Sequence, residues 1–486
     1  MTLENPFKRM SRLQKALLML FLITLPLVNP WVRGDGVGYY AYVRAALIEG
    51  HLNFEEDWLH GNTSFLMSNV GPDGRVNKNL YTRTGHIANL WTVGPSILWA
   101  PFLVVTHMVV LCLDRMGAHI PADGFSAPYL VTMALATAFY GFLGLWLSFC
   151  LARKFFEERW AFLATIGVWW ASSLPVYMYF NPSWSHAHSA FVDSLFLWYW
   201  HRTRGARTLP QWILLGLLSG LAVDVYYPNG CLLLIPLLEA IGIYWKEWKS
   251  AAHGGMAIPK LLVAHLLYLA VFLIGLLPTL ITRYIIYGNP FSTGYSSPGN
   301  WPWESPALGS VLFSSDHGLL SWTPILILAL IGLVLFLRAD RPFGLYLILT
   351  FVFFWAVIAL HPSWDGLSSF GNRFFVSLTP LFVLGLAAFF DGLARAWRQP
   401  YEAAFAFSAT ALLIAWNLGL IFQWGVHLIP ARGPISWRQT THNQFTAVPA
   451  AVTNQLERYV LHRHALMNDI EKSDVKQLEK TGSPPN

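Results

Sequence analysis

The residues best suited to chemistry are a carboxylate, two histidines and two arginines at the ends of apolar segments. Asp35 follows the first apolar run almost at once, and His186, Arg283, His361 and Arg373 stand at the ends of later runs. A carboxylate can act as a general base, and a guanidinium binds phosphate oxygens bidentately. This set suits the transfer of a group from a phosphate-bearing lipid, since the carboxylate would take the acceptor's proton while cations stabilise the departing phosphate.

Each of these residues also has an ordinary structural interpretation. Asp35 stands where it could cap the helix that follows it, so capping and catalysis both remain open on periodicity alone. Arg283 could be a snorkelling anchor. Arg373 precedes a helix, where a cation is unfavourable as a cap, and this favours a bound anion instead. Asp193 lies seven residues after His186, on the same helical face, and the two are expected to form a buried structural pair.

The composition assigns the chain to the membrane. Of its 486 residues, 55% are hydrophobic and 12% are charged, with a mean hydropathy of +0.44, whereas a soluble domain carries about 25% charged residues. The net charge of +6 comes from short basic clusters between apolar runs, which is typical of helix orientation and not of nucleic-acid binding. The three cysteines lie in apolar stretches without metal-ligand spacing, so no disulfide framework, metal site or cofactor is predicted.

The apolar runs predict an all-α polytopic membrane domain over residues 1–424, with about eleven crossings. The predicted helices cover about 16–32, 128–151, 160–179, 184–200, 209–226, 229–245, 260–282, 322–337, 342–360, 374–391 and 401–424. This arrangement puts every basic cluster on one side, which the positive-inside rule makes cytoplasmic. The loops 33–127, 283–321 and 361–373 then face outward.

Two further segments are assigned to the outer side. Residues 89–113 are apolar enough to span, but a lone crossing would reverse every later basic cluster. We therefore expect this segment to lie along the outer leaflet or to be re-entrant within the loop 33–127. The tail 425–486 is predicted to be extracytoplasmic, and the helical spacing of its apolar residues Val452, Leu456, Val460 and Leu461 predicts an amphipathic helix.

Four stretches carry a family resemblance. "GDGVGYYAYVRAALIEG", "NLWTVGPSILWAPF", "RYIIYGNPFSTGY" and "WDGLSSFGNRFFVSLTP" resemble bacterial membrane glycosyltransferases of the GT-C fold (glycosyltransferase family 39-like). These enzymes are relatives of the protein O-mannosyltransferases and of the aminoarabinose transferase acting on lipid A. The resemblance implies a polyprenyl-phosphate-sugar donor, inverting transfer on the outer face and a carboxylate base in the first loop, a place that Asp35 matches.

The expected site combines that base with two groups of residues. Donor-phosphate binding is assigned to Arg373, Arg283, His361 and His186, and substrate lining to Tyr39, Glu55, Asp57, His188, Trp364 and Asp365. The "EED" at 55–57 resembles an acidic pair of the fold, although a solvated acidic turn accounts for it too. Many relatives carry an acidic residue in the second outer loop where this chain has His186 and His188, so the resemblance supports neither a metal site nor a two-carboxylate mechanism.

The sequence therefore predicts an enzyme of the bacterial inner membrane that transfers a sugar to a glycan, lipid or protein acceptor on the extracytoplasmic side. Its partners would be the lipid donor, membrane lipids and that acceptor. Two other classes stay open. A lipid-linked sugar flippase or transporter predicts polar residues near the midplane, broken helices and internal repeats. A non-catalytic assembly subunit would not require Asp35.

Overall fold

The computed structural model of the protein describes residues 10–251, 258–295, 301–397 and 399–481. Within these ranges the chain is helical and forms no strand; two residue pairs, Val70 with Val76 and Tyr81 with Ile87, make isolated antiparallel bridges. The prediction of an all-α fold is confirmed for the described part of the chain.

Twenty-one α-helices follow one another along the described residues. They are α1 (Arg12–Thr24), α2 (Asp35–Arg44), α3 (Glu55–Leu59), α4 (Thr63–Asn69), α5 (Gly94–Arg115), α6 (Ala127–Ala152), α7 (Glu158–Trp170), α8 (His186–Thr203), α9 (Leu209–Val225), α10 (Leu234–Ala251), α11 (Ile258–Gly275), α12 (Leu277–Tyr287), α13 (Leu308–Phe313), α14 (Leu319–Trp322), α15 (Ile325–Phe336), α16 (Arg341–Ala359), α17 (Thr379–Ala396), α18 (Tyr401–Gly425), α19 (Trp437–Phe445), α20 (Ala447–Leu461) and α21 (Arg463–Thr481).

Six helical segments of the described chain are long and apolar enough to cross a membrane, or seven if the bent pair α11–α12, with its 44° angle, is one span. The six are Gly94–Arg115, Ala127–Ala152, Tyr227–Lys249, Arg341–Ala359, Arg373–Ala396 and Tyr401–Gly425. The chain is thus a multi-pass membrane protein. The predicted count of eleven is not confirmed, because helices such as α1, α7 and α15 have only 12 or 13 residues each.

The segment predicted to be interfacial or re-entrant forms α5, one unbroken helix of 22 residues. Its continuity speaks against a re-entrant break, and its length permits a span. The helix α2 nevertheless contacts both the first turn of α5, where Ser96 Oγ donates to the Tyr39 carbonyl, and the segment before α6, where Tyr40 donates to the Gly124 carbonyl. These contacts favour an arrangement in which the loop from 33 to 127 stays on one side of the bundle.

The helix α17 forms the centre of the bundle, and it determines where the site lies. Within the segment Arg373–Ala396, 89% of the most apolar window is buried, because the helix is apolar around most of its circumference and neighbouring helices surround it. A 3₁₀ turn, Arg373–Leu378, leads into α17. The first residue of that turn, Arg373, is therefore held by the most buried of the six candidate spans. We call the end of the bundle that carries this turn and α2 the α2 side.

The C-terminal helices fold back onto the α2 side. Tyr459 donates to the Leu27 carbonyl at 2.7 Å, and Arg463 donates to the Val28 carbonyl at the exit of α1. The predicted amphipathic stripe lies in α20, where Leu456, Val460 and Leu461 are at least half exposed. The helix forms as predicted; its position outside the membrane remains a prediction.

Candidate active site

The carboxylate of Asp35 is an ion-pair partner and not a helix cap. The helix α2 begins at Asp35 itself, its N-cap is Gly34, and no side chain caps it. Asp35 Oδ2 instead accepts a hydrogen bond from Arg373 Nη1 at 2.6 Å, across 338 residues of sequence. The capping interpretation is thus not realised, although the carboxylate still benefits from the positive end of the α2 dipole.

Two glycines of the "GDGVG" motif allow α2 to approach its neighbours closely enough for this pairing. A β-carbon on Gly36 would lie 2.0 Å from Ser183 Oγ, and one on Gly38 would lie 1.8 Å from the Trp91 ring. Both separations are impossible for real atoms. The motif therefore fixes α2 against Ser183, in the segment before α8, and against Trp91, in the segment before α5.

The guanidinium of Arg373 is sandwiched between a charge and a ring. Its central carbon lies 4.4 Å from the Trp184 ring centroid, a cation–π distance. Its side chain is 11% exposed and that of Asp35 is 21% exposed, so both can be reached from solvent. Arg373 Nε itself is buried and makes no hydrogen bond within the described chain. The pair is neutral in sum, but the arginine keeps donor capacity for a second anion.

The pair opens into a cavity of about 400 Å³, and the C-terminal tail contributes one of its walls. Its polar lining comprises Arg33, Asp35, Ser64, Asn181, Ser368, Arg373, His427, Arg432, Asp474 and Gln477. Asp474 of α21 pairs with Arg33 at 2.6 Å and with His427 at 2.8 Å. Burial alone would raise the pKa of Asp474, but Arg33 and His427 bring that pKa below its ordinary value. The tail is therefore tied electrostatically to the exit of α1.

An aromatic ladder links the pair to two predicted histidines. The buried His186 ring lies 4.7 Å from Tyr177 and 5.4 Å from Tyr226, and Tyr226 stacks on Phe374. Phe374 in turn lies 5.7 Å from His361. These rings form an apolar wall behind the charged residues, as in a pocket that holds a ligand of mixed polarity.

His361 is a neutral hydrogen-bond donor in this setting. Burial lowers its pKa, and the nearby Arg373 lowers it further. Its Nδ1 accepts a hydrogen bond from the Ser363 backbone at 3.1 Å, so the proton resides on Nε2. The predicted role in phosphate binding then requires a hydrogen bond from Nε2 and not a positive charge.

Arg283 is placed differently from Arg373. Its side chain is fully buried and donates to the Tyr227 hydroxyl, to the carbonyl of Asn89, and to the carbonyls of Leu90 and Trp91. It does not line the cavity. This setting favours a structural role in which Arg283 fastens residues 89–91 to α12. A contact of Arg283 with the donor phosphate stays a prediction.

Four of the predicted substrate-lining residues also lie away from the cavity. Tyr39 is buried and accepts a hydrogen bond from Ser185 Oγ at 2.9 Å. His188 is buried between the rings of Trp99 and Tyr140, and Asp57 is buried against an arginine. Glu55 is half-buried near Tyr81. Local pairing accounts for Tyr39 and for one carboxylate oxygen of Asp57, whereas the ring nitrogens of the buried His188 have no hydrogen-bond partner within the described chain.

The expected His186–Asp193 pair does not form. No hydrogen bond joins the two residues, and neither carboxylate oxygen of the buried Asp193 has a partner within the described chain. Seven residues along α8 correspond to about 10 Å, which is too far for direct contact even on one face.

Several residues of the site were missed in the sequence. Trp184 was not singled out, and Asp474, His427 and Arg432 lie in a tail whose pattern indicated only amphipathicity. The predicted Trp364 is partly buried, and its carbonyl accepts a hydrogen bond from Asn372. The predicted Asp365 lies beside two residues of another loop, Asp316 and His317, which the sequence pattern did not single out.

No protein-family model matches this chain, and no curated protein matches it. Among solved structures the chain is similar to the crystal structure of ArnT from Cupriavidus metallidurans in the apo state, with 12% sequence identity and a TM-score of 0.45. The likeness covers 86% of this chain and 72% of ArnT. A likeness of this size does not establish an activity.

Proposed function

We propose that the protein is a membrane glycosyltransferase that transfers a sugar from a polyprenyl-phosphate donor to an acceptor on the outer face of the bacterial inner membrane. The observation that supports this most directly is the accessible Asp35–Arg373 pair in the polar cavity on the α2 side. A candidate base and a candidate phosphate-binding residue meet there, although 338 positions separate them in the sequence. The motif resemblance supplies the donor class.

Arg373 is proposed to hold the donor phosphate. A guanidinium carries five N–H donors, of which Nη1 contacts Asp35 and the buried Nε has no partner within the described chain. A phosphate in the cavity that Arg373 lines would bind through the terminal Nη groups, since it offers several acceptor oxygens. Trp184 fixes the plane of the guanidinium and partly desolvates it, which strengthens its attraction for an anion. An arriving phosphate competes with Asp35 for Arg373, so donor binding frees the carboxylate for proton transfer.

Asp35 is proposed to act as the general base. It accepts the proton of an acceptor O–H or N–H group while the acceptor heteroatom forms a bond to the sugar's anomeric carbon. The bond between that carbon and the phosphate oxygen breaks, and its electron pair stays on the phosphate, where Arg373 stabilises the charge. Attack from the face opposite the leaving phosphate inverts the anomeric configuration.

The test uses a strain that lacks the protein, with its cell-envelope glycans measured by mass spectrometry. The wild-type chain should restore a missing sugar modification, and Asp35→Asn should not, although it reaches the membrane in equal amount. Asp57→Asn is the matched control, because it makes the same change at a buried carboxylate outside the cavity. A glycan profile that is unchanged in the deletion strain contradicts glycosyl transfer.

The rival classes predict other results in the same strain. An assembly subunit would let Asp35→Asn restore the modification fully. A flippase would leave sugar-loaded lipid donor on the cytoplasmic leaflet in the deletion strain, whereas a transferase would leave it on the outer leaflet. Accessibility of the donor to an impermeant oxidant therefore separates transport from transfer.

A further inference from the structure

A second cluster of ligand-type side chains lies next to the cavity. Asp316 and His317 belong to the loop between α13 and α14, and Asp365 belongs to the loop that leads to Arg373. One carboxylate oxygen from each aspartate and one ring nitrogen of His317 all lie within 4.8 Å of one another. Among the described residues, this is the group of histidine, cysteine or acidic side chains arranged closely enough to hold a metal ion.

The orphaned atoms of the cluster indicate a missing ligand. The His317 side chain is completely buried, yet neither ring nitrogen has a partner in hydrogen-bonding geometry among the described residues. Asp316 Oδ1 likewise has no hydrogen bond within that part of the chain, although it lies 3.4 Å from His317 Nδ1. Most buried polar atoms in native proteins are paired, and an unpaired group can mark the place where an ion binds.

The spacing of the acidic groups also suits a bound cation. One carboxylate oxygen each of Asp316 and Asp365 lie within 4.8 Å of each other and of a ring nitrogen of His317. Two carboxylates this close repel each other, and a divalent ion between them removes that repulsion.

We propose that Asp316, His317 and Asp365 bind a divalent metal ion, with Zn²⁺ as the best fit. One imidazole and two carboxylates make a mixed nitrogen and oxygen set, which suits zinc, whereas Mg²⁺ and Ca²⁺ prefer oxygen ligands alone. In a tetrahedral zinc site the ligand atoms stand about 3.4 Å apart. The 3.4 Å between Asp316 and His317 already matches that spacing, and Asp365, within 4.8 Å of both, has to move inward by at most about 1.4 Å.

The metal would join two loops and position Arg373. The residue after Asp365 is Gly366, and a β-carbon there would lie 3.3 Å from both Cγ and Nε of Arg373. A fixed Asp365 therefore fixes the surface against which Arg373 packs. In this proposal the metal holds the loop and does not touch the reacting atoms, and its binding does not depend on the glycosyl transfer proposed above.

Arg432 provides a built-in competitor for the ion. Its guanidinium interacts electrostatically with Asp365, and its buried Nε has no hydrogen bond within the described chain. A positive guanidinium beside Asp365 weakens the binding of a cation there. Removing this charge should tighten metal binding, which a merely structural role for the cluster does not predict.

The experiment uses the full chain purified in detergent, stripped with EDTA and equilibrated with Zn²⁺, with bound metal measured by elemental mass spectrometry. We expect one Zn²⁺ per chain, a loss of at least about 10-fold in affinity in His317→Asn and Asp365→Asn, and tighter binding in Arg432→Gln. Asparagine is chosen because His317 has a positive φ of 55°, which asparagine tolerates. The exposed His51 gives the control variant His51→Gln, whose binding should not change.

Co²⁺ provides a second measurement on the same samples. Ligation by His317 gives visible absorption bands whose intensity reports a tetrahedral site, and these bands should vanish in Asp365→Asn even if His317→Asn fails to fold. Absence of stoichiometric Zn²⁺ binding in the wild type, or binding that survives both ligand variants, overturns the site. Displacement of Zn²⁺ by equal concentrations of Mg²⁺ overturns the assignment to zinc.

Discussion

The α2 side contains two aspartate–arginine pairs that are alike in chemistry and unlike in setting. Asp35 and Arg373 meet at 2.6 Å across 338 residues, with 21% and 11% of their side chains exposed to the cavity. Asp57 and Arg44 meet at 3.0 Å across 13 residues, with 2% and 5% exposed. Arg44 is further occupied by Glu49 at 2.6 Å and by the Asp123 carbonyl.

The difference between the pairs lies in what each can still do. The buried Arg44 has its donors used by partners of the same loop, so the Asp57 pair fastens α2 to the segments around it. The accessible Arg373 lines the cavity and can bind a second anion there, and its partner Asp35 can exchange the ion pair for a proton. An ion pair thus becomes a candidate active site when a ligand can reach it and when its side chains still have hydrogen-bonding capacity to offer.

The largest expected effect comes from removing the base. Asp35→Asn should lower turnover by about 100- to 10,000-fold, because the amide cannot accept a proton. Transfer of labelled sugar in membrane vesicles measures this effect. Asp57→Asn should stay within a few-fold of wild type once the amount of folded protein is equalised. Equal losses in the two variants would show that the pairs do not differ as proposed.

Removal of Arg283 should cost stability and not donor binding. In Arg283→Ala the carbonyls at 89, 90 and 91 lose their donor, and unsatisfied buried carbonyls typically cost about 1–3 kcal/mol each. The thermal unfolding midpoint in detergent should fall clearly, while the folded fraction binds polyprenyl phosphate with nearly wild-type affinity. A stable variant that has lost donor affinity would return Arg283 to the phosphate site.

Removal of Arg373 should have the opposite signature. Arg373→Ala loses a charge-assisted hydrogen bond of about 1.5–3 kcal/mol, which corresponds to a loss of roughly 10- to 100-fold in affinity for polyprenyl phosphate. Arg373→Lys keeps the charge without the planar fork and should fall between alanine and wild type. Titration of the lipid against the detergent-purified variants measures the series. Unchanged affinity in Arg373→Ala would place the phosphate elsewhere.

The individual candidate residues of the site could be predicted from the sequence, but the contacts between them could not. Asp35 and Arg373 stand out because each is a charge at the end of an apolar run, where orientation rules do not require it. Their mutual contact depends on how α17 and α2 pack, and nothing local encodes it. Arg283 was assigned to the phosphate together with Arg373. Its actual acceptors include backbone carbonyls, and the residue types in a sequence do not show which carbonyls an arginine will reach.

For the fold as well, the existence of the helices could be predicted, but their exact ends and mutual contacts could not. Apolar runs predict membrane helices well because length and composition are local properties. Helix ends were harder to predict. The helix α7 stops at Trp170, and a bend at 171–173 separates it from a second helical segment that ends in the π-helix Val176–Phe180, where a single helix over 160–179 was expected. The role of the tail was hidden because the side chains of α21 reach the cavity through contacts with residues more than 400 positions away.

The smallest predicted effect is a pH dependence at the buried pair. Burial raises the pKa of Asp57 from 3.8 to about 7, even though Arg44 lowers it. A raised pKa means that the folded state holds the proton more tightly than the unfolded chain does. The contribution to stability is therefore complete below about pH 4 and is lost as the pH rises through about 7.

The measurement is the thermal unfolding midpoint in detergent between about pH 5 and pH 8, compared between wild type and Asp57→Asn. The wild type should lose stability relative to the variant as the pH rises, because asparagine does not titrate. The exposed Asp73 supplies the control Asp73→Asn, which should follow the wild type. If the wild type and Asp57→Asn ran parallel across this range, the attraction of Arg44 would outweigh burial. Asp57 would then be a charged partner like Asp35, and the two ion pairs would differ only in how exposed their side chains are.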